Sequence, residues 1–341
     1  MEVVRGAHAL TDNIGIITVA GHRLTYNAIL HEQVDLLGTG LSSRPPFRAK
    51  NTEQAESFFV ESLEAWREAV GLEEFILMGH SMGGYLAALY AIQYPNRVRH
   101  LVMVCPAGVG KRPDTWEPPE SVRSPWTWKG QLYRLAVNIW NAGITPGLII
   151  RSMGPFGPSL VEKYTRNRFK TGHHLSEEEI EAFHKYMYGI LAAKGSGEYA
   201  LKHILEPFAF PRQPLEHRMD SITFPITFIY GDQDWMDPKA AKRLLNRVRD
   251  ARQRKLVESD LKVLTTVSAG HYPFLDQPGA FLMNILDTCG CYLSHEARKK
   301  IERIAQEYPV LSLPAMDTEE QLRKEFAKDP ATAEVHIASD L

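Results

Sequence analysis

The chain has 341 residues, 44% hydrophobic and 23% charged, with a formal net charge of -2. That composition fits one large α/β domain, or a core domain with an insertion, and the near-neutral balance gives no support for a nucleic-acid partner. Three cysteines, Cys105, Cys289 and Cys291, make no disulfide framework and suggest a reducing compartment; Cys289-x-Cys291 lacks the second half of a zinc site, so no metal is expected.

Apolar residues lead into a glycine twice near the start, at Val3-Val4-Arg5-Gly6-Ala7-His8 and at Val19-Ala20-Gly21-His22. Residues 72–110 then read strand (74–78), sharp turn, helix (84–94) and strand (101–104), with Pro95-Asn96 ending the helix. The turn is Gly79-His80-Ser81-Met82-Gly83. A serine between a strand and a helix, flanked by glycines, is held on a strained turn with its hydroxyl at the top of a sheet. The bland alternative is an ordinary turn whose serine caps the helix.

Residues 111–215 carry helical patterns and no convincing strand. Leu132, Leu135, Ala136, Ile139 and Trp140 form one apolar stripe, and Ser176-Glu177-Glu178-Glu179 is a capping box. The helix it opens turns Ile180, Phe183, Met187, Ile190 and Leu191 inward and is expected to end with Gly195 at C′. Residues 143–160 look too broken for a regular helix, reading either as a buried loop or as a mobile apolar entrance. Strands follow at 226–230 and 262–267 with a helix at 238–249 between them, which implies a parallel sheet with right-handed crossovers. Ligands then bind beyond the carboxyl ends of the strands. After Cys291 the chain reads as a short helix and a loosely ordered tail. The expected organisation is a first core segment at 1–110, a helical lid at 111–215, a second core segment at 216–293 and a charged tail at 294–341.

A serine nucleophile needs a base, and the base needs an orienting acid. Three aspartates follow the strand at 226–230. Asp234, in a Gly-x-x-Asp position, is the expected acid; Asp237 caps the next helix and Asp232 is solvated. His271, after the last strand and behind a turn made by Gly270, is the expected base. His80 is expected to pack on the core or to hydrogen-bond locally. The backbone N–H of Met82 is one oxyanion donor. The second is assigned to Ala7 in the Gly6-Ala7 loop, with residues 20–23 as the alternative.

Together these residues resemble a branch of the α/β-hydrolase fold. The branch includes the mammalian lipid-droplet lipase coactivator, the N-acyl-phospholipid lipase, plant lysophosphatidic-acid acyltransferases and fungal cardiolipin deacylases, with the plant-type members most alike. The resemblance rests on Asp35-Leu36-Leu37-Gly38-Thr39-Gly40-Leu41-Ser42-Ser43-Arg44-Pro45, on residues 75–84, and on Trp128-Lys129-Gly130. It rests further on Gly154-Pro155-Phe156-Gly157-Pro158, on Ala192-Ala193-Lys194-Gly195-Ser196-Gly197-Glu198, on residues 228–236 and on Gly270-His271. It implies a mostly parallel sheet with helices on both faces and a helical lid. It also implies acyl-ester hydrolysis on phospholipids or lysophospholipids, with acyl-CoA-dependent acylation of lysophosphatidic acid. Acyl-CoA is then a co-substrate and no bound cofactor is expected.

His271-Tyr272-Pro273-Phe274-Leu275-Asp276 is the His-x4-Asp pattern that the resemblance links to acyl transfer, although Asp276 is also placed to cap the helix near Pro278. Family members carry further N-terminal strands and a His-Gly oxyanion motif; residues 5–34 match poorly, so the first strands are expected to be missing or divergent. No apolar stretch reaches the ~18 residues that span a bilayer, and no signal-peptide pattern opens the chain. The expected setting is intracellular, cytoplasmic or attached to a membrane, lipid-droplet or mitochondrial surface. Two other functions stay open: a non-catalytic regulator of a lipid-droplet lipase, and a hydrolase of small esters.

Overall fold

Alternation along the central strands sorts the core into two layers. In β3 (Phe75–His80), Phe75 and Leu77 pack on one face while Ile76 and Met78 pack on the other. Residues two apart on a strand share a face, and β4 (Val98–Val104) and β5 (Ile226–Gly231) repeat the pattern. The computed structural model describes residues 15–20, 32–168, 176–251, 260–308 and 310. With β1 (Gly15–Ala20), β2 (Glu32–Asp35) and β6 (Leu261–Thr266), the described residues form a six-stranded parallel sheet of order β2-β1-β3-β4-β5-β6.

Two strands therefore lie beyond β3, where the sequence pattern assigns none. The β-branched run Ile16-Ile17-Thr18-Val19 carries β1, whose Val19 is in register with Gly79. The chain runs outward from β1 to β2 and then returns to β3 on the other side of β1. That reversal is a topological switch point, and a crevice opens there at the carboxyl ends of the strands. Ser81 follows β3 directly at this place.

Helices cover both faces. On one lie α1 (Thr52–Val70) and α2 (Met82–Gln93). All ten residues from Met82 to Ala91 are buried, so α2 has no solvent face before its last two residues, as an all-round apolar helix requires. The chain between β4 and β5 is helical: α3 (Glu120–Arg123), α4 (Trp128–Ala142), α5 (Pro146–Ser152), α6 (Gly157–Arg168), α7 (Glu177–Ala192) and the single turn α8 (Leu201–Ile204). Then α9 (Pro238–Ala251) joins the first face. After β6 come the turn α10 (Pro273–Asp276), then α11 (Pro278–Cys289) and α12 (His295–Glu307) on the opposite face. The tail beyond 310 lies outside the described residues.

Three lid expectations change. Residues 143–160 contain α5 and the start of α6, because Thr145 caps the Leu148 N–H and Pro146 occupies the first turn, where its missing N–H costs nothing. Leu135 faces solvent, 52% exposed, rather than the lid core. The capping box at Ser176 and Glu179 forms, but α7 ends on extended Ala193 and not on Gly195. The lid's turn at 196–198 abuts the loop after β2: a Cβ on Gly38, at φ 84°, would sit 2.2 Å from the Gly197 nitrogen. Arg44 donates to the carbonyl of Lys194, and Glu198 pairs with Arg151 of α5 at 2.6 Å.

One buried polar pair sits on the α11 side of the sheet. His100 Nε2 lies 2.9 Å from Thr227 Oγ1, and no donor or acceptor among the described residues reaches its Nδ1. Burial, then the Lys262 charge, pushes the imidazole down to about 4. The unfolded chain binds the proton near 6.5, so the native state excludes a proton that the unfolded state accepts. Stability is intact above about 6.5 and falls as pH drops towards 4, by up to ~3 kcal/mol. Urea titrations at pH 7 and pH 4 should show His100→Gln losing ~2–3 kcal/mol less than wild type on acidification; equal losses would contradict this account.

Candidate active site

Ser81 sits at φ 53° and ψ -120°, a region that a side chain disfavours. The turn keeps it there. The Ser81 N–H donates to the Val104 carbonyl at 3.0 Å, and its own carbonyl accepts the N–H groups of Gly84, Tyr85 and Ala107. A Cβ on Gly79 would lie 2.2 Å from the Gly83 carbonyl oxygen, so strand and helix approach closely enough to require glycine there. The Ser81 hydroxyl does not cap α2; it lies 3.0 Å from His271 Nε2.

His271 Nδ1 lies 3.0 Å from Asp234 Oδ1, and all three side chains are buried. This is the hydrogen-bonded chain of a Ser-His-Asp triad, in the order nucleophile, base, acid. Asp234 comes from the turn after β5, where Oδ1 also accepts the Met236 N–H at 3.1 Å. No nitrogen or oxygen donor among the described residues reaches Oδ2. The buried Cys105 thiol lies against this carboxylate; burial, then the Asp234 charge, pushes the thiol well above its ordinary value. Cys105 therefore stays protonated beside the carboxylate.

Asp237 caps α9, its carboxylate accepting the Lys239 N–H at 2.9 Å. Asp232 is exposed, as expected of a solvated residue, and its carboxylate also accepts the Ala269 N–H at 3.0 Å and so ties the acid turn to the base loop. The turn into His271 is made by Ser268, at φ 53°; Gly270 has no left-handed backbone. Asp276 does not cap α11 either, since its Oδ2 accepts the Gly270 N–H at 2.9 Å. The sequence leaves His80 to the core or to a local hydrogen bond, and the bond it makes is long-range. Its Nε2 donates to the His271 carbonyl at 2.8 Å, and its ring lies 4.9 Å from the His271 ring.

Met82 is the first residue of α2, so its N–H has no acceptor within the helix and adds to the positive end of the helix dipole. Ala7, Gly21 and His22 lie outside the described residues; β1 ends at Ala20, next to the elbow strand. His80, Cys105 and His271 bring ligand-type atoms within 4.8 Å of one another. That cluster does not fit a metal site: both His271 nitrogens serve the triad, His80 Nε2 serves a carbonyl, and the thiol is held protonated. Among the described residues no helix is long and apolar enough to cross a membrane.

Residues 34–278 match the family described as the alpha/beta hydrolase fold. The chain is 40% identical over 275 residues to a probable 1-acylglycerol-3-phosphate O-acyltransferase of Oryza sativa subsp. japonica, covering 78% of this chain and 62% of that protein. It is 34% identical to the (lyso)-N-acylphosphatidylethanolamine lipase of Bos taurus, covering 83% and 77%. The chain thus spans about three fifths of the plant relative's length. Among solved structures, MenH from S. aureus aligns with TM-score 0.54 at 14% identity, covering 82% of this chain and 95% of that one. That likeness speaks to fold alone.

Replacing Asp234 by Asn keeps the shape but leaves His271 in the wrong tautomer. The rate at which Ser81 reacts with a fluorophosphonate probe should fall about 10³–10⁴-fold while the melting temperature stays within a few degrees. A rate close to wild type would remove Asp234 from the triad.

Proposed function

The chain belongs to the alpha/beta-hydrolase fold family, and on that premise we propose that it is a serine-dependent enzyme of (lyso)phospholipid acyl esters. The 3.0 Å contact between Ser81 Oγ and His271 Nε2, with Asp234 behind it, carries the reading. Ser81 Oγ attacks the acyl carbonyl carbon as His271 Nε2 takes its proton. Asp234 stabilises the imidazolium, and the Met82 N–H faces the oxyanion. Collapse breaks the acyl–oxygen bond; the departing alkoxide takes the proton from His271 and leaves acyl-Ser81. Water then gives hydrolysis. The hydroxyl of a lysophospholipid such as lysophosphatidic acid gives acyl transfer, and with acyl-CoA as donor the first leaving group is its thiolate.

The lipid class is supported by the similarity to the acyltransferase and lipase relatives and by the lid surface. Trp116 and Trp140 are packed, on Phe210 and against the Leu205 carbonyl. Trp126 and Trp128 are 92% and 59% exposed. Trp128 and Leu135 are seven residues apart on one face of α4. The Lys129 ammonium lies 5.7 Å from the Trp128 ring centre, and Arg134 is exposed nearby in sequence. Amphipathic rings beside cations suit the interface of an anionic phospholipid layer. The proposed setting is therefore intracellular, peripheral to a membrane, lipid-droplet or mitochondrial surface, with no nucleic-acid partner.

Purified protein should release fatty acid from lysophospholipid micelles, and Ser81→Ala should abolish this. Activity on short soluble esters alone would sink the lipid reading. The double variant W126A/W128A should bind vesicles containing phosphatidic acid at least about tenfold more weakly in sedimentation assays while hydrolysing a soluble ester normally. Unchanged vesicle binding would remove the lid from the membrane contact.

A further inference from the structure

His271 stands on a stretch with no regular secondary structure: β6 ends at Thr266 and α10 begins at Pro273. Its backbone polar groups are instead met by partners from three directions. Gln277 Nε2 donates to the Ser268 carbonyl at 3.1 Å. The Ala269 N–H donates to Asp232, and the Ala269 carbonyl accepts the Gln233 N–H at 2.9 Å. The Gly270 N–H donates to Asp276 Oδ2 at 2.9 Å, and the His271 carbonyl accepts from His80 Nε2 at 2.8 Å. Asp276 and Gln277 are both almost fully buried.

We infer that Asp276 and His80 are positioning residues that hold the His271 loop against Ser81, and that Asp276 acts through this loop and not by moving a proton to or from substrate. Asp276 fixes the peptide N–H just before His271, and His80 fixes the carbonyl just after it. A carboxylate accepting a buried N–H is one of the stronger hydrogen bonds available. His80 immediately precedes Ser81, so one strand end carries the nucleophile and anchors the base. The ring of His80 also packs on Tyr272 and Phe274, 5.2 and 5.0 Å away, on the chain that leads to Asp276. The backbone of Ser268 is held left-handed, a strain that only surrounding contacts can maintain. A base displaced by about 1 Å loses on the order of 10²-fold in rate, so these bonds bear directly on catalysis.

The inference rests on the proposed Ser81–His271 chemistry but not on the lipid substrate. The test compares Asp276→Ala with Asp276→Asn, because an amide oxygen still accepts the Gly270 N–H whereas a methyl does not. Three quantities are measured: kcat and KM on a soluble p-nitrophenyl ester, acyl transfer from acyl-CoA to lysophosphatidic acid, and amide hydrogen exchange over residues 267–276. In D276A, kcat should fall about 10–100-fold with KM within about threefold, transfer should fall in parallel, and exchange should accelerate. D276N should recover kcat to within about fivefold of wild type and restore protection. His80→Gln, which can still donate to the His271 carbonyl, should likewise exceed His80→Ala.

Loss of transfer in D276N with hydrolysis retained would overturn the inference, because it would make Asp276 an acid–base group. Unchanged kcat and exchange in D276A would overturn it as well. Wild-type protein without transfer activity would refute that part of the proposed function and leave the hydrolysis contrast to decide. Wild-type protein inert to every ester would refute the enzyme reading, and the exchange comparison would still decide whether Asp276 holds the loop. If D276A fails to fold, D276N and the two His80 variants give the same contrasts.

Discussion

The left-handed backbone of Ser81 is the constraint from which the site is built. A non-glycine residue held there costs about 1–3 kcal/mol and persists only where its neighbours over-determine it. Here one N–H and one carbonyl of a single residue take part in four backbone hydrogen bonds, reaching β4, the first turn of α2 and the loop at Ala107. The glycine at 79 lets α2 start directly behind the strand. The result is a hydroxyl that cannot turn back to cap its own helix and must find its partner across the crevice.

That partner comes from the opposite end of the chain, 190 residues later, and the sheet supplies the alignment. β3, β4, β5 and β6 are consecutive neighbours running the same way, so the turns after β3, β5 and β6 open on one edge. Ser81, Asp234 and His271 stand on those three turns. The strands themselves fix height and direction; the last ångström comes from polar contacts between the turns. Asp232 to Ala269 and Gln233 to Ala269 link the acid turn with the base loop, and His80 links the base loop with the elbow.

Strand-end chemistry of this kind is legible in a sequence because it follows a local rule: an apolar run, then a turn residue, then the reactive side chain. Ser81, Asp234 and His271 all obey it, and the structure brings the three together. What was not legible follows from contacts between segments far apart in the chain. Asp232 is solvated as read, but its acceptor role was hidden because it depends on Ala269, 37 residues away. His80 read as a core side chain or one with a local hydrogen bond because the carbonyl it meets is 191 residues away. The helix α5 was hidden by Gly143, Pro146 and Gly147, which read as breakers until Thr145 is seen to cap the turn that Pro146 begins. Strand β1 is as long as β3, but it is defined by its pairing with β2 on one side and β3 on the other, partners that the local sequence does not name.

The lid motifs on which the family resemblance rests have a structural meaning of their own. Gly38 and Gly197 mark a backbone-to-backbone contact, and Glu198 joins the two ends of α5 by meeting both Thr145 and Arg151. They bolt the lid to the loop after β2. Lid helix α7 also reaches the catalytic side, where Ile180 packs on Leu275, one residue before Asp276. With Asp276 holding the loop, the proposed chemistry leaves His271 as the single base for both fates of an acyl-serine. The balance between hydrolysis and transfer then depends on which acceptor reaches that ester, water or a lipid hydroxyl. Ser81 and His271 are both buried, so in the proposed reaction an acceptor has to enter a site that excludes bulk water. A lid seated on a lipid layer by Trp126 and Trp128, each half-inserted ring contributing ~2–3 kcal/mol from its apolar area, would place lipid hydroxyls rather than bulk water at that entrance.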